Sequence, residues 1–351
     1  MSALLTLAFA ASLPAHVQDE NDLASPRRLA VSDDGRFVAV AAKDDRVRVW
    51  NIETGKLLHA LEIDRQGSSV ALSAKGEVLV AGTIGDRPSA SVPVQSNLFA
   101  WSLAGDKPKL LWKAPQVGAA TAVAIDPRGK WCATVTAYGR LNVFDLKSGD
   151  FKRSCQESGN GLYDLSISPD GRTIATAGQQ LRFWDVEAEP LPSGALPTDV
   201  NVTVEQSQRF LKSKSGIWGK AIVIAPSGAW AAALGSFESP TGHADALGRV
   251  ELPSAKTMGK AARNLGDANS LSISSDGKLI ALGFDAPKVE IRVVDSWSIV
   301  RTIELGDFGQ VRSVCFFDGG KRIAIASQHG AKVEVRTIAD GKRVRELHAD
   351  R

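Results

Sequence analysis

The stretch Ser166 to Gly178 reads SISPDGRTIATAG, and close variants, VSDDGRFVAVAAK and SISSDGKLIALGF, recur more than a hundred residues away on either side. This repeated phrase limits the possible folds more than any other feature, because its local geometry is dictated by sterics. Ser168, Pro169, Asp170 and Gly171 suit the four positions of a type I turn: Ser accepts locally, Pro presets φ, Asp follows, and Gly tolerates positive φ at the close. Before the turn Leu165 and Ile167 alternate with polar residues, and after it Thr173 to Ala177 form a small, β-prone run. The unit reads as a β-hairpin.

The turn can be followed by its glycine through the chain, at Gly35, Gly76, Gly129, Gly171, Gly228, Gly277 and Gly320. The intervals are 41, 53, 42, 57, 49 and 43 residues. A base period in the low forties, stretched three times by insertions, matches the about 40–45 residues of a four-stranded propeller blade. Each copy continues with an alternating third strand, a second turn and a more polar fourth strand. In the first repeat these are RVRVWNI (Arg46–Ile52), the turn Glu53-Thr54-Gly55-Lys56, and LLHALEI (Leu57–Ile63). The expected fold is all-β, a seven-bladed β-propeller of four-stranded antiparallel blades in one domain over residues 26–349.

With its third strands in view, the chain resembles the WD40-repeat family at its divergent, bacterial-type end, close to YVTN-type repeats. The family's dipeptide is intact at Trp184-Asp185 and blurred at Trp50-Asn51, Trp101-Ser102, Phe144-Asp145 and Val294-Asp295. The resemblance implies a rigid, non-catalytic scaffold that presents a surface to protein or peptide partners. One departure matters. The His that often precedes the first strand in this family, within a buried hydrogen-bond network, is in place in no blade, and the lone Gly-His pair, Gly242-His243, falls inside an insertion. Apolar packing between blades is therefore expected to replace that network.

Composition narrows the function classes. The net charge of +3 comes from 42 basic residues interspersed with 39 acidic ones, not from a clustered basic face, so no nucleic-acid partner is expected. Lys342, Arg343 and Arg345 alternate with apolar Val344 and Leu347, as on the solvated face of an outer strand. The three cysteines, Cys132, Cys155 and Cys315, sit in predicted strands and contain no C-x-x-C spacing. With five scattered His as well, neither a disulfide framework nor a metal or cofactor site has a signature.

Residues 1–15, MSALLTLAFAASLPA, are apolar without a charged side chain and end in small residues. They read as a signal peptide cleaved after Ala10 or Ala15, followed by a polar linker over residues 16–25, which places the protein in the periplasm or outside the cell. The stretch is too short to span a bilayer, which needs about 20 apolar residues, and no later segment qualifies. The chain is read as a monomer.

Catalytic signatures are missing. Neither Gly-x-Ser-x-Gly nor Gly-x-x-x-x-Gly-Lys-Ser/Thr occurs, and the pairs Asp33-Asp34 and Asp44-Asp45 fall in predicted turns, where Asp serves local hydrogen bonds. The functional expectation therefore rests on insertions. Gly82–Asn97 and Gly235–Gly248 lengthen the loops between the second and third strands of blades 2 and 5, which rise on the same face nearly opposite each other across the channel. Their candidate partner-binding residues are Arg87, Ser91, Phe237, Glu238, His243 and Asp245. A third insertion, Glu187–Gly219, is expected to supply the outer strand of blade 4 from NVTVEQ. The alternative reading is a small ligand or sugar bound in the central channel, with hydrolase or lyase chemistry. Inward carboxylates or His at the channel mouth would favour that alternative, and an apolar, aromatic rim would favour the scaffold.

Overall fold

The computed structural model describes residues 26–85, 95–157, 161–186, 211–214, 217–239, 242–263, 265–327 and 332–348. It is a seven-bladed β-propeller: seven four-stranded antiparallel sheets, each taken in chain order from the inner strand outward. Blade 1 comprises Pro26–Val31, Phe37–Ala42, Arg46–Asn51 and Leu57–Glu62, and blade 7 ends with Arg343–His348. The helical elements among the described residues are two three-residue 3-10 turns, Gly306–Phe308 and Asp318–Gly320. Among these residues no helix is long and apolar enough to cross a membrane.

The small second strands find their reason in the stacking of blades. In blades 1, 2, 4, 6 and 7 all but the first residue of this strand are buried, so both faces of the sheet are covered. FVAVAA and TIATAG therefore carry short side chains where two neighbouring sheets close in at once. Outer strands such as LLHALE alternate between exposed and less exposed positions, as expected with solvent on one side. The apolar core is divided accordingly into seven clusters, each shared by two adjacent blades. Stability then accrues interface by interface.

The ring closes by the same packing. Leu29, Val38, Trp50 and Ile52 of blade 1 pack with Ala324, Val333, Val335 and Leu347 of blade 7. Trp50 Nε1 donates to the carbonyl of His348 at 3.1 Å, and Arg322 pairs with Glu53 at 2.7 Å across the seam. Blade 7 owns all four of its strands, so closure rests on contacts between blades 1 and 7 and not on a shared strand.

Six of the seven turns have the expected geometry. The N–H of Gly171 donates to the carbonyl of Ser168 at 2.8 Å, and the equivalent bond forms at Gly35, Gly76, Gly129, Gly228 and Gly277. All six glycines have φ between +62° and +71°. Ser168 Oγ also donates to Asp170 Oδ1 at 2.6 Å and accepts from the N–H of Thr173 at 2.8 Å, which explains the Ser-x-Asp-Gly wording. Asp34 and Asp276 make the same bond with Ser32 and Ser274, so these carboxylates serve the turns. The seventh turn differs: Asp318, Gly319 and Gly320 all have positive φ, and Lys321 N–H bonds to the carbonyl of Asp318. Gly320 is thus part of a 3-10 turn, because Asp318-Gly319-Gly320 lets the chain turn one residue earlier.

Three further expectations meet the structure. Trp184 Nε1 donates to Thr176 Oγ1 at 2.9 Å, both buried, so the blade with the intact dipeptide keeps a two-member polar contact. The outer strand of blade 4 is Leu211–Lys214, while NVTVEQ lies outside the described residues. Cys132 and Cys155 are buried free thiols and Cys315 is half-buried.

Candidate functional site

Each inner strand carries one register fault near its start. In blade 2 Gly67 pairs with Thr83 and Ser69 with Gly82, so the ladder skips Ser68. The same shift skips Arg27, Thr121, Tyr163, Lys220, Asn269 and Arg312 in the other six blades. These are β-bulges, which locally turn a strand and re-aim the extra side chain. Repeated around the axis, they set a ring of seven residues at one mouth of the channel.

The ring divides by side-chain length. Ser68 Oγ donates to the carbonyl of Ala120, Thr121 Oγ1 to that of Leu162 at 2.6 Å, and Asn269 Nδ2 to that of Val311 at 3.0 Å. Each acceptor is the residue just before the bulge of the next blade, so the short polar members stitch neighbouring inner strands together. Tyr163, Lys220 and Arg312 are too long for that role and line a cavity of about 390 Å³. Trp218, from the start of the blade 5 inner strand, joins them: its ring meets Tyr163 edge-on at 5.9 Å, and Lys220 Nζ lies 5.9 Å from its centroid.

Among the described residues, the cavity lining contains two cationic groups, Lys220 and Arg312, and neither a carboxylate nor a His. The nearest fixed acid through a hydrogen bond is Asp285, which accepts from Asn269 Nδ2 at 2.5 Å. Further along the inner strands a second cavity of about 220 Å³ contains a single carboxylate, Asp164. Asp164 Oδ2 accepts the N–H of Ile222 at 3.1 Å, which ties blade 4 to blade 5. Cys315 also lines this cavity, and burial pushes its thiol up to about 11, away from the thiolate a nucleophile needs. Among the described residues no group of three or more His, Cys, Asp or Glu is placed to hold a metal.

The insertions begin at this mouth. Ile84, where the chain leaves the second strand of blade 2, lines the cavity, and Arg65 Nη1 binds the carbonyl of Gln95 at 2.7 Å where it returns. Arg87 and Ser91 lie outside the described residues. In blade 5 the expected loop over Gly235–Gly248 is instead a continuation of the sheet. Trp230–Ser239 and Gly242–Glu251 pair without a break up to Ser239 opposite Gly242. Full cross-strand pairing satisfies the backbone there, which a loop of that length would leave to solvent. Phe237 thus stands opposite Ala244, Glu238 opposite His243, and Asp245 opposite Ser236, and Gly242-His243 belongs to a strand. Ser236 in turn pairs with Trp218, so the hairpin leaves the sheet beside the cavity.

The mouth residues themselves escaped the sequence reading, although a signal existed. Each bulge residue lies eight positions before the turn glycine of its blade, from Arg27 and Gly35 to Arg312 and Gly320. The seven share a position and no residue type, so residue patterns do not expose them.

Comparison with known proteins agrees with this architecture. Residues 9–51 match the family model of the WD domain, G-beta repeat. The chain is 29% identical over 188 residues to the groucho protein of Drosophila melanogaster, covering 50% of this chain and 24% of that protein. It is 24% identical over 165 residues to a WD repeat-containing protein 26 homolog of Arabidopsis thaliana, covering 45% of this chain and 25% of that one. The matches therefore span about a quarter of each relative's length. Among solved structures, the hydrazine synthase of Kuenenia stuttgartiensis superposes with a TM-score of 0.68 at 16% identity, over 93% of this chain and 99% of that one, which is a likeness of fold. With a WD-domain match in its first repeat, similarity to WD-repeat proteins and seven four-stranded blades, the chain is a seven-bladed β-propeller that resembles the WD40-repeat family.

Proposed function

We propose that the chain is a non-catalytic scaffold that binds a protein or peptide partner over the channel mouth, on the face where the blade 2 and blade 5 insertions arise. The mouth carries this reading: an open cavity rimmed by Tyr163 and Trp218, with no carboxylate or His among its described lining residues. Tyr and Trp supply large contact area with few rotors to freeze, and such residues dominate interface energetics. General acid–base or glycosidic chemistry wants paired acids, whereas the described lining residues of the two cavities include one carboxylate, Asp164, which accepts a backbone N–H. That the relatives are WD-repeat proteins supports a scaffold role for this chain.

Crosslinking capture from the native host tests the reading. A partner held by wild type should be lost at least about tenfold from Trp218→Ala, as for an interface hot spot. A second variant, with 87–95 and 238–246 replaced by short Gly/Ser loops, reports whether the insertions add to the grip. Partners retained by both variants would move the binding site off this face and overturn the proposal.

Export is part of the proposal and rests on the apolar residues 1–15. Amino-terminal sequencing of the protein from its host should start near Ala11 or His16. Bulk protein starting at Met1 or Ser2 would remove the export assignment.

A further inference from the structure

The mouth has a chemical polarity that a generic docking surface lacks. Four observations converge on the same ligand chemistry. The cavity, at about 390 Å³, is large enough for a few side chains and small for a folded domain. The charged groups among its described lining residues, Lys220 and Arg312, are both cationic. Arg312 is exposed and makes no ion pair among the described residues, so its guanidinium keeps its fork of donors for a ligand. Lys220 and Arg312 come from blades 5 and 7, and the edge-to-face pair of Tyr163 and Trp218 from blades 4 and 5, so an apolar and a cationic wall face one space.

We propose that the mouth recognises an extended peptide segment of its partner in which an Asp or Glu stands next to an aromatic or branched apolar residue. Arg312 and Lys220 take the carboxylate, and the Tyr163–Trp218 wall takes the apolar neighbour. The inference rests on the proposed use of this face and adds the chemistry that selects the partner. The geometry of the ring explains why the selection is local. Ser68, Thr121 and Asn269 line the same cavity but are engaged with carbonyls of neighbouring inner strands and carry no charge themselves. The bulge positions of blades 4, 5 and 7 carry long side chains instead, and the ligand's carboxylate meets those of blades 5 and 7, Lys220 and Arg312.

Selection of a random peptide display library on the immobilised full chain tests this directly. Enriched peptides should carry Asp or Glu beside an apolar residue. Synthesised with a fluorescein label, they should bind at least about tenfold more weakly to Lys220→Glu/Arg312→Glu, and Lys220→Gln/Arg312→Gln should fall between that variant and wild type. Binding should also weaken as salt rises from about 0.05 M to about 0.5 M. Thermal melts of each variant check that it is folded. Enriched peptides that are neutral or basic, yet lost with Trp218→Ala, would keep the mouth as the binding face and overturn the carboxylate assignment. No enrichment, or enrichment indifferent to Trp218→Ala and to the charge variants alike, would overturn the face as well. Full competition by sodium acetate at millimolar concentration would replace the peptide with a small free anion.

Discussion

Gly235→Ala is expected to lower the unfolding free energy by about 3 kcal/mol or more, at the upper end of what overpacking costs. Gly235 lies in the second strand of blade 5, opposite the bulge that presents Lys220. A Cβ built there would stand 2.0 Å from the carbonyl oxygen of Trp218 and 2.9 Å from the Cα of Gly219. Both are backbone atoms, so no rotamer change relieves the contact and the bulge itself must move. At Gly171, by contrast, a Cβ would meet the side chains of Asp126 and Arg128, which can swing away, and the penalty there comes chiefly from φ of +62°. Urea unfolding measures the loss. Because Trp218 is displaced in the same event, peptide binding at the mouth should weaken alongside stability. Wild-type stability in the variant would show that the inner strand of blade 5 has slack to admit a methyl group, and would make the bulge geometry adaptable.

The second large effect concerns a buried ion pair between blades 3 and 4. Glu157 follows the outer strand Phe151–Gln156, and Arg182 opens the third strand Arg182–Asp185. Their side chains are each 3% exposed, with Arg182 Nε 3.4 Å from Glu157 Oε1. Burial pushes the Glu157 carboxyl up to about 7 against the pull of the Arg182 charge. Arg182→Met keeps much of the aliphatic stem beside Trp184 and removes the cation. The loss should be about 3–5 kcal/mol near pH 8, because an isolated carboxylate remains in the interface.

The sign of the pH dependence follows from linkage. In the unfolded chain this carboxyl releases its proton near the ordinary value of 4.5, whereas in the fold it holds it until about 7. Between those values the folded state binds more protons, so acidification through this window stabilises the protein, and the contribution is lost as pH rises. In Arg182→Met the opposing pull is gone and the folded value rises further. The damage should therefore be greatest near pH 8 and shrink toward pH 5, where Glu157 is protonated. Urea titrations at both pH values decide it, and a deficit independent of pH would assign the effect of Arg182 to packing alone.

The site was less legible than the fold, and the reason lies in which interactions are local. Gly171 and its equivalents are recognisable because positive φ at the close of a tight turn restricts the residue type at one position. The small residues of TIATAG could be read as a strand, yet that both its faces are buried depends on two neighbouring sheets that no single repeat contains. The insertion Gly235–Gly248 looked like a loop because Gly, Ser, Pro and Thr break strand patterns, and its pairing as a long hairpin depends on the blade it extends.

The repeat period, the turns and the blade count were determined by the sequence itself, since each follows from steric preferences within about 40 residues of chain. The channel mouth was decided by tertiary structure alone. Arg27, Ser68, Thr121, Tyr163, Lys220, Asn269 and Arg312 have no residue type in common and gain a shared role only when seven register shifts are brought round one axis. A turn is specified by the dihedral angles of its own residues, whereas a pocket is specified by which distant residues the closed ring makes neighbours.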